Sequence, residues 1–277
     1  MEQESAYGVL AKAQQLERQG KDIVHFEIGQ PDFKKKSFSF DLEEFDRKVG
    51  GKTKMIIINS PANPTGGVMP MEVLRHIADA AIRHDCWVLS DEIYSQLVYD
   101  GKKAPSIATL PGMAERTIIV DGFSKTYAMT GWRLGYGFMP EALAEKVTLL
   151  LNHAIGCTAT FTQYAGIEAI LGDPSRIEPL VAEYQLRRDR LVQGLNAIEG
   201  VTCRKPEGAF YVFPNVKSFG IPCEELADRL LNEAHVALLP GTAFGSFGEG
   251  YLRMSYATTM ENIEEALNRI GRFFSKL

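Results

Sequence analysis

The chain contains no apolar run that approaches the length needed to cross a bilayer. Its opening residues, MEQESAYGVLAKAQ, lack the basic-then-apolar order of a secretory leader, so a cytoplasmic protein is expected. No basic run is longer than Lys34-Lys35-Lys36, and the formal net charge is −5. Nucleic-acid affinity rests on neutralising phosphates, so a nucleic-acid partner is not expected. Cys86, Cys157, Cys203 and Cys223 form no CxxC pair, which suits reduced thiols better than a disulfide frame. The five histidines make no HExxH. His76 and His84 share one predicted helix with no ligand set around them, so no metal site is expected. Nucleotide-binding signatures are missing too: there is no GxGxxG after a strand and no GxxxxGK[ST].

What is present is an ordinary globular composition, 45% hydrophobic and 23% charged over 277 residues. That length allows one large domain or two smaller ones sharing an interface. Residues 5–19 carry apolar side chains at helical spacing and stop at Gly20, and 22–29 reads as a strand. Asp41 followed by Glu44 opens a short helix to about Val49. The run 54–60 is a strand, and 70–84 an amphipathic helix with Pro70 in its first turn. Strands follow at 86–92, 117–122 and 134–139. Near-continuous apolar strands alternating with helices predict an α/β fold, a parallel-rich sheet with helices on both faces. Beyond Pro140 helices dominate, including a long one at about 176–198. Short strands at 209–214, 236–240 and 250–257 then mix with helices at 222–234 and from 260 onward, as in a smaller α+β C-terminal domain.

Polar residues gather at the strand ends. Asn63 lies in 61-PANPTG-66, Asp91 and Tyr94 follow 86-CWVLS-90, and Ser124, Lys125 and Arg133 follow 117-TIIVDG-122. Open α/β sheets bind ligands outside the carboxyl ends of their strands, so these side chains converge on one crevice. Taken singly, Asn63 reads as a turn residue, Asp91 as a helix cap, and Lys125 and Arg133 as solvated charges. Together they suit a ligand with an anionic end, a hydroxyl, a basic ring nitrogen and an electrophilic carbon. Pyridoxal phosphate has all four. An ordinary lysine, with a pKa near ~10.4, is almost wholly charged at neutral pH. Burial beside another cation frees the amine to attack an aldehyde, which is the role this reading gives Lys125, along with moving the substrate's α-proton. Asp91 pairs with the ring nitrogen, Tyr94 and Asn63 with the ring hydroxyl, and Ser124 and Arg133 with the phosphate. Arg253, inside the apolar run 250-GYLRMSYA-257, is either half of a structural ion pair or a clamp for an α-carboxylate, and beside a cofactor the clamp is the better reading. The loop 240-PGTAFG-245 shapes the entrance.

The pieces 28-IGQPDF-33, 61-PANPTGG-67, 90-SDEIY-94, 123-FSKTYAMTGWRLGY-136, 208-GAFYVFP-214 and 251-YLRMSYA-257 resemble, in order and character, the class I/II pyridoxal-phosphate aminotransferases of fold type I. The resemblance implies the same roles for Lys125, Asp91, Tyr94, Asn63, Ser124, Arg133 and Arg253. It adds Gly29, whose amide helps seat the substrate carboxylate, and a cis bond at Asn63–Pro64. It also implies amino-acid and 2-oxo-acid substrates, a homodimer, and a division into three parts. Residues 1–33 would pack on the small domain, 34–188 would form a shortened cofactor domain, and 189–277 the small domain.

The chain departs from the family between the GQPDF and NPTG motifs, where 34-KKKSFSF-40 stands in place of a long segment. In relatives that segment holds a phosphate-cradling turn, an aromatic stacked on the cofactor ring, sheet strands and a tyrosine for the neighbouring subunit. Gly122 stands where relatives often have a second hydroxyl. Losing strands exposes sheet edges and apolar helix faces. A shortened, non-catalytic relative acting through partners is therefore one alternative, and a carbon–sulfur lyase on the same fold is another.

Overall fold

The computed structural model describes residues 40–277. The expected helix at 5–19, the strand at 22–29, Gly29 and the Lys34–Lys36 run lie outside the described residues. The first element, α1 (Leu42–Lys48), starts as expected, with the Asp41 carboxylate accepting from the Glu44 amide. Next come β1 (Met55–Asn59), α2 (Met71–Arg83), β2 (Trp87–Asp91) and β3 (Thr117–Gly122). Pro70 stands one place outside the first turn of α2, as its N-cap. Its extended backbone leads the chain in, and its carbonyl takes the first helical hydrogen bonds.

β3 runs into a helical turn, α3 (Phe123–Thr126), and the chain returns as β4 (Gly135–Phe138). The sheet order is β1-β2-β3-β4, with the first three strands parallel and β4 antiparallel to β3. Burial alternates along β1 and β2: Ile56, Ile58 and Val88 point into one core, packed under α1 and α2 with Phe45, Leu74 and Ile77. The opposite face is only half-buried.

α4 (Glu141–Ala154) and α5 (Thr160–Leu171) follow, and no residue of α4 is buried. Phe138, Leu150, Ile155, Phe161, Tyr164 and Leu171 are all exposed, Leu171 to 79%. The strand that bears Phe138 pairs on one side only, with β3, among the described residues. An open sheet edge beside an apolar helix pair is a surface built to be covered.

The long α6 (Ile177–Asn196) then leads into a second core. There β5 (Tyr211–Val212), β6 (Leu239–Pro240) and β7 (Leu252–Ser255) form an antiparallel sheet in the order β5-β7-β6, flanked by α7 (Cys223–Ala234) and α8 (Met260–Phe274). Tyr94, Leu97 and Tyr99, from the turn after β2, belong to this second core. We propose that the cofactor and small domains meet along α6. The helix runs unbroken through position 188, while Leu191 and Leu195 are buried in the second core.

Candidate active site

Each parallel strand delivers its polar residue to the same end of the sheet. Asn59 closes β1, and its side-chain oxygen accepts from the Asn63 amide at 3.1 Å. The chain from Ser60 to Gly67 is a tight turn with cis bonds at Ser60–Pro61 and at Asn63–Pro64. Asp91 closes β2 opposite Asn59 in register, and its carboxylate accepts from the Ile93 amide at 3.1 Å. Burial pushes the Asp91 carboxyl above the ordinary range, while the Ile93 amide, the Asn59 side chain and the Lys125 charge draw it back. A half-buried carboxyl raised in this way favours a cation held directly against it.

Lys125 sits in α3 between Phe123 and Thr126, both buried, and its own stem is half-buried. Its Nζ lies 5.5 Å from the centre of the Phe210 ring and 5.8 Å from that of Tyr94. Burial lowers its pKa first; Arg133 and then Arg253 lower it further, against the opposing pull of Asp91. The amine is therefore more readily neutral than a surface lysine.

Tyr94 is 4% exposed, and its hydroxyl shares a 2.9 Å hydrogen bond with that of Tyr211. Burial, with Tyr211 beside it, holds the Tyr94 phenol protonated well beyond the ordinary range. On β7, Arg253 donates from Nη1 to the Asn63 side-chain oxygen at 3.0 Å. Its guanidinium packs between the rings of Tyr211, at 4.6 Å, and Phe244, at 4.8 Å. Arg133 is exposed in a left-handed conformation, φ 54°, and donates to the Thr130 carbonyl at 3.0 Å. Ser124 stands beside Lys125 on the same turn, half-buried.

The structure thus brings Lys125, Asp91, Tyr94, Asn63 and Arg253 into one neighbourhood linked by hydrogen bonds, ring contacts and shared charge, with Arg133 in the electrostatic field of Lys125. Sequence reasoning missed Asn59, which ties the Asn63 turn to β2, and also Phe210 and Tyr211. The only signals were a polar residue ending an apolar strand and an aromatic pair within GAFYVFP. The 240–245 loop also does more than shape an entrance, since Phe244 walls the Arg253 guanidinium. At Gly122 a Cβ would lie 3.0 Å from both the Leu134 carbonyl and the Gly135 Cα. The return of the chain along β4 therefore crowds out any side chain there.

With this arrangement in view, the comparisons with known proteins define the class. Residues 14–270 match the family described as aminotransferase class I and II, and the chain belongs to that family. It is 46% identical over 244 residues to an aspartate aminotransferase of Pyrococcus abyssi, covering 87% of this chain and 62% of that protein. Aromatic-amino-acid aminotransferase 2 of Thermococcus litoralis is 45% identical over 244 residues, with the same 87% and 62% coverage. The crystal structure of an aromatic aminotransferase from Pyrococcus horikoshii superposes with a TM-score of 0.83 at 43% identity, over 86% of this chain and 64% of that one. The α/β architecture is that of these aminotransferases. The chain spans about three fifths of the length of the curated relatives it matches.

Proposed function

We propose that this protein transfers an amino group between an amino acid and a 2-oxo acid, using pyridoxal phosphate held at Lys125. The observation that carries the proposal is the setting of Lys125: an amine lowered in pKa by burial and two arginines, against two aromatic rings, beside a half-buried strand-end carboxyl. The donor set fits the cofactor, because Asp91 favours a protonated ring nitrogen beside it and Tyr94 is fixed as a neutral hydroxyl donor. Ser124 and Arg133 would take the phosphate. Bound there, the cofactor supplies an aldehyde carbon for the substrate nitrogen and a ring that withdraws electrons from the substrate's α-carbon.

The chain's own residues do the rest. Lys125 Nζ supplies the neutral amine and then takes and returns the substrate's α-proton. Asp91 holds a proton on the ring nitrogen. Tyr94 donates to the ring hydroxyl oxygen and is itself kept in place by Tyr211. Asn63, its side-chain oxygen engaged by Arg253, keeps its amide NH2 for the same ring oxygen. Arg253 offers its planar fork to the substrate carboxylate, with the Tyr211 and Phe244 rings excluding water from its faces. Gly29 is proposed as a further carboxylate contact by resemblance.

A homodimer is part of the proposal, supported by the exposed apolar residues of β4, α4 and α5. A cytoplasmic location is proposed with it, on the four free thiols. A second reading, a shortened relative that acts through partners, is favoured by that same uncovered face. The test is a half-reaction on cofactor-loaded protein. An amino acid should bleach the visible band and yield its 2-oxo acid, and a second 2-oxo acid should restore the band. Release of ammonia and a thiol from a sulfur amino acid would favour the lyase instead, and no response to any amino acid would favour the partner-binding reading.

A further inference from the structure

Arg188 is the one charged residue that is buried among the described residues. It lies on α6, away from the reacting groups. Its guanidinium donates to both carboxylate oxygens of Asp100 at 2.9 and 3.0 Å, to Asp189 at 2.8 Å and to the Pro206 carbonyl at 3.0 Å. The same group lies 4.6 Å over the Tyr99 ring. The Tyr99 hydroxyl donates to the Ala209 carbonyl, which also accepts from the Tyr256 hydroxyl at 3.0 Å.

Ala209 is held at φ 56°, a left-handed conformation that an alanine does not adopt without support. The support is visible. Two hydroxyls fix the direction of its carbonyl, and its amide donates to the Leu97 carbonyl at 2.9 Å. The Tyr99 amide donates in turn to the Glu207 carbonyl at 3.1 Å. Gly66 closes the knot from the Asn63 turn: its carbonyl accepts from the Glu207 and Gly208 amides at 2.9 Å. A Cβ at Gly66 would lie 2.3 Å from Pro206 Cβ. Immediately after Ala209 come Phe210, 5.5 Å from Lys125 Nζ and 5.3 Å from the Tyr94 ring, and Tyr211, bonded to the Tyr94 hydroxyl.

We infer that Arg188, acting through Tyr99 and the Ala209 carbonyl, is a positioning residue that sets Phe210 and Tyr211 against Lys125 and Tyr94. Neither Arg188 nor Tyr99 touches a reacting atom. Their effect is to hold the turn that places an aromatic lid on the amine and a hydroxyl partner on the phenol. Among the described residues, the charged and titratable groups around Lys125 are Arg133, Arg253, Asp91 and Tyr94, none of which belongs to the Arg188 cluster. Loosening the Ala209 turn therefore wets Nζ without changing the charges that face it. The inference deepens the proposed role of Lys125 and takes its catalytic meaning from that reading.

The test is competitive labelling of the full chain with acetic anhydride across pH, with the Lys125 peptide quantified by mass spectrometry and no cofactor added. Wild type is compared with Tyr99→Phe and Arg188→Met, each checked for folding by far-ultraviolet circular dichroism. Both variants should shift the Lys125 profile to higher pH, with labelling near pH 8 slowed roughly threefold or more as water reaches the amine. A Lys125 profile in folded Tyr99→Phe that overlays wild type overturns the inference. Should Tyr99→Phe fail to fold, Tyr256→Phe removes the other hydroxyl on the same carbonyl and is read the same way. Because the labelling needs no cofactor, failure to bind pyridoxal phosphate would leave this inference standing, and an unchanged profile would leave the cofactor proposal standing.

Discussion

Replacing Arg188 by methionine removes a charge that is 0% exposed while keeping an unbranched apolar stem of similar reach. Three of the four hydrogen bonds lost go to Asp100 and Asp189, whose side chains are 40% and 43% exposed. Lys205 remains 3.5 Å from Asp100 and 3.1 Å from Asp189, so both carboxylates keep a cation and gain water. The buried bond to the Pro206 carbonyl and the contact with the Tyr99 ring have no such replacement. Breaking one partner out of a buried pair costs about 3–5 kcal/mol; the exposed carboxylates bring the expectation here to about 2–4 kcal/mol. With a urea slope of about 2–3 kcal/mol/M for a chain of this size, the midpoint should fall by roughly 1 M. The assay is equilibrium urea unfolding followed by both tryptophan fluorescence and circular dichroism, so that a departure from two-state behaviour is seen. A midpoint within about 0.2 M of wild type would mean instead that solvent replaces even the buried bonds.

Other expectations follow from the same geometry. Lys125→Met should stabilise the fold at neutral pH. The wild-type amine has a folded-state pKa below its unfolded value, so its charge weakens the fold at low pH. That penalty disappears as pH rises through the folded pKa toward the unfolded value, so the gap between variant and wild type in thermal melts should close on the alkaline side. Asp91→Asn should also stabilise, with the opposite trend. The raised carboxyl favours the fold when protonated, and that benefit is lost as pH climbs through its folded pKa, so melts of the pair should separate with rising pH. Gly122→Ala forces contacts at 3.0 Å with the Leu134 carbonyl and Gly135, and should lower stability by about 1–3 kcal/mol in urea titrations. Leu150→Glu with Ile167→Glu, both on the exposed apolar face, should reduce self-association, measured by sedimentation velocity against wild type.

Much of the fold was legible in the sequence because β1, β2 and β3 are short apolar runs bounded by turn residues, and α2, α7 and α8 each show a clear apolar stripe. Asn63, Asp91 and Lys125 were legible for a related reason, since each closes or follows a strand and strand ends face one crevice. Asn59 was hidden because a polar residue closing a strand has many bland explanations. Phe210 and Tyr211 were hidden because their reach to Lys125 and Tyr94 depends on how the second core docks, which no local pattern encodes. Arg188 sits in the charged run 187-RRDR-190, which reads as a solvated helix face. Its burial is set by Asp100 and Pro206, brought to it from opposite directions along the chain. Pro70 shows the limit on boundaries, because a proline serves equally well at the first helical position and just before it.

We propose that this chain assembles a working cofactor site around Lys125. Its most direct test is the visible absorption spectrum of the purified protein with added pyridoxal phosphate, beside Lys125→Ala. A band is expected in the wild type that is missing from the variant. Identical spectra for the two proteins would contradict it.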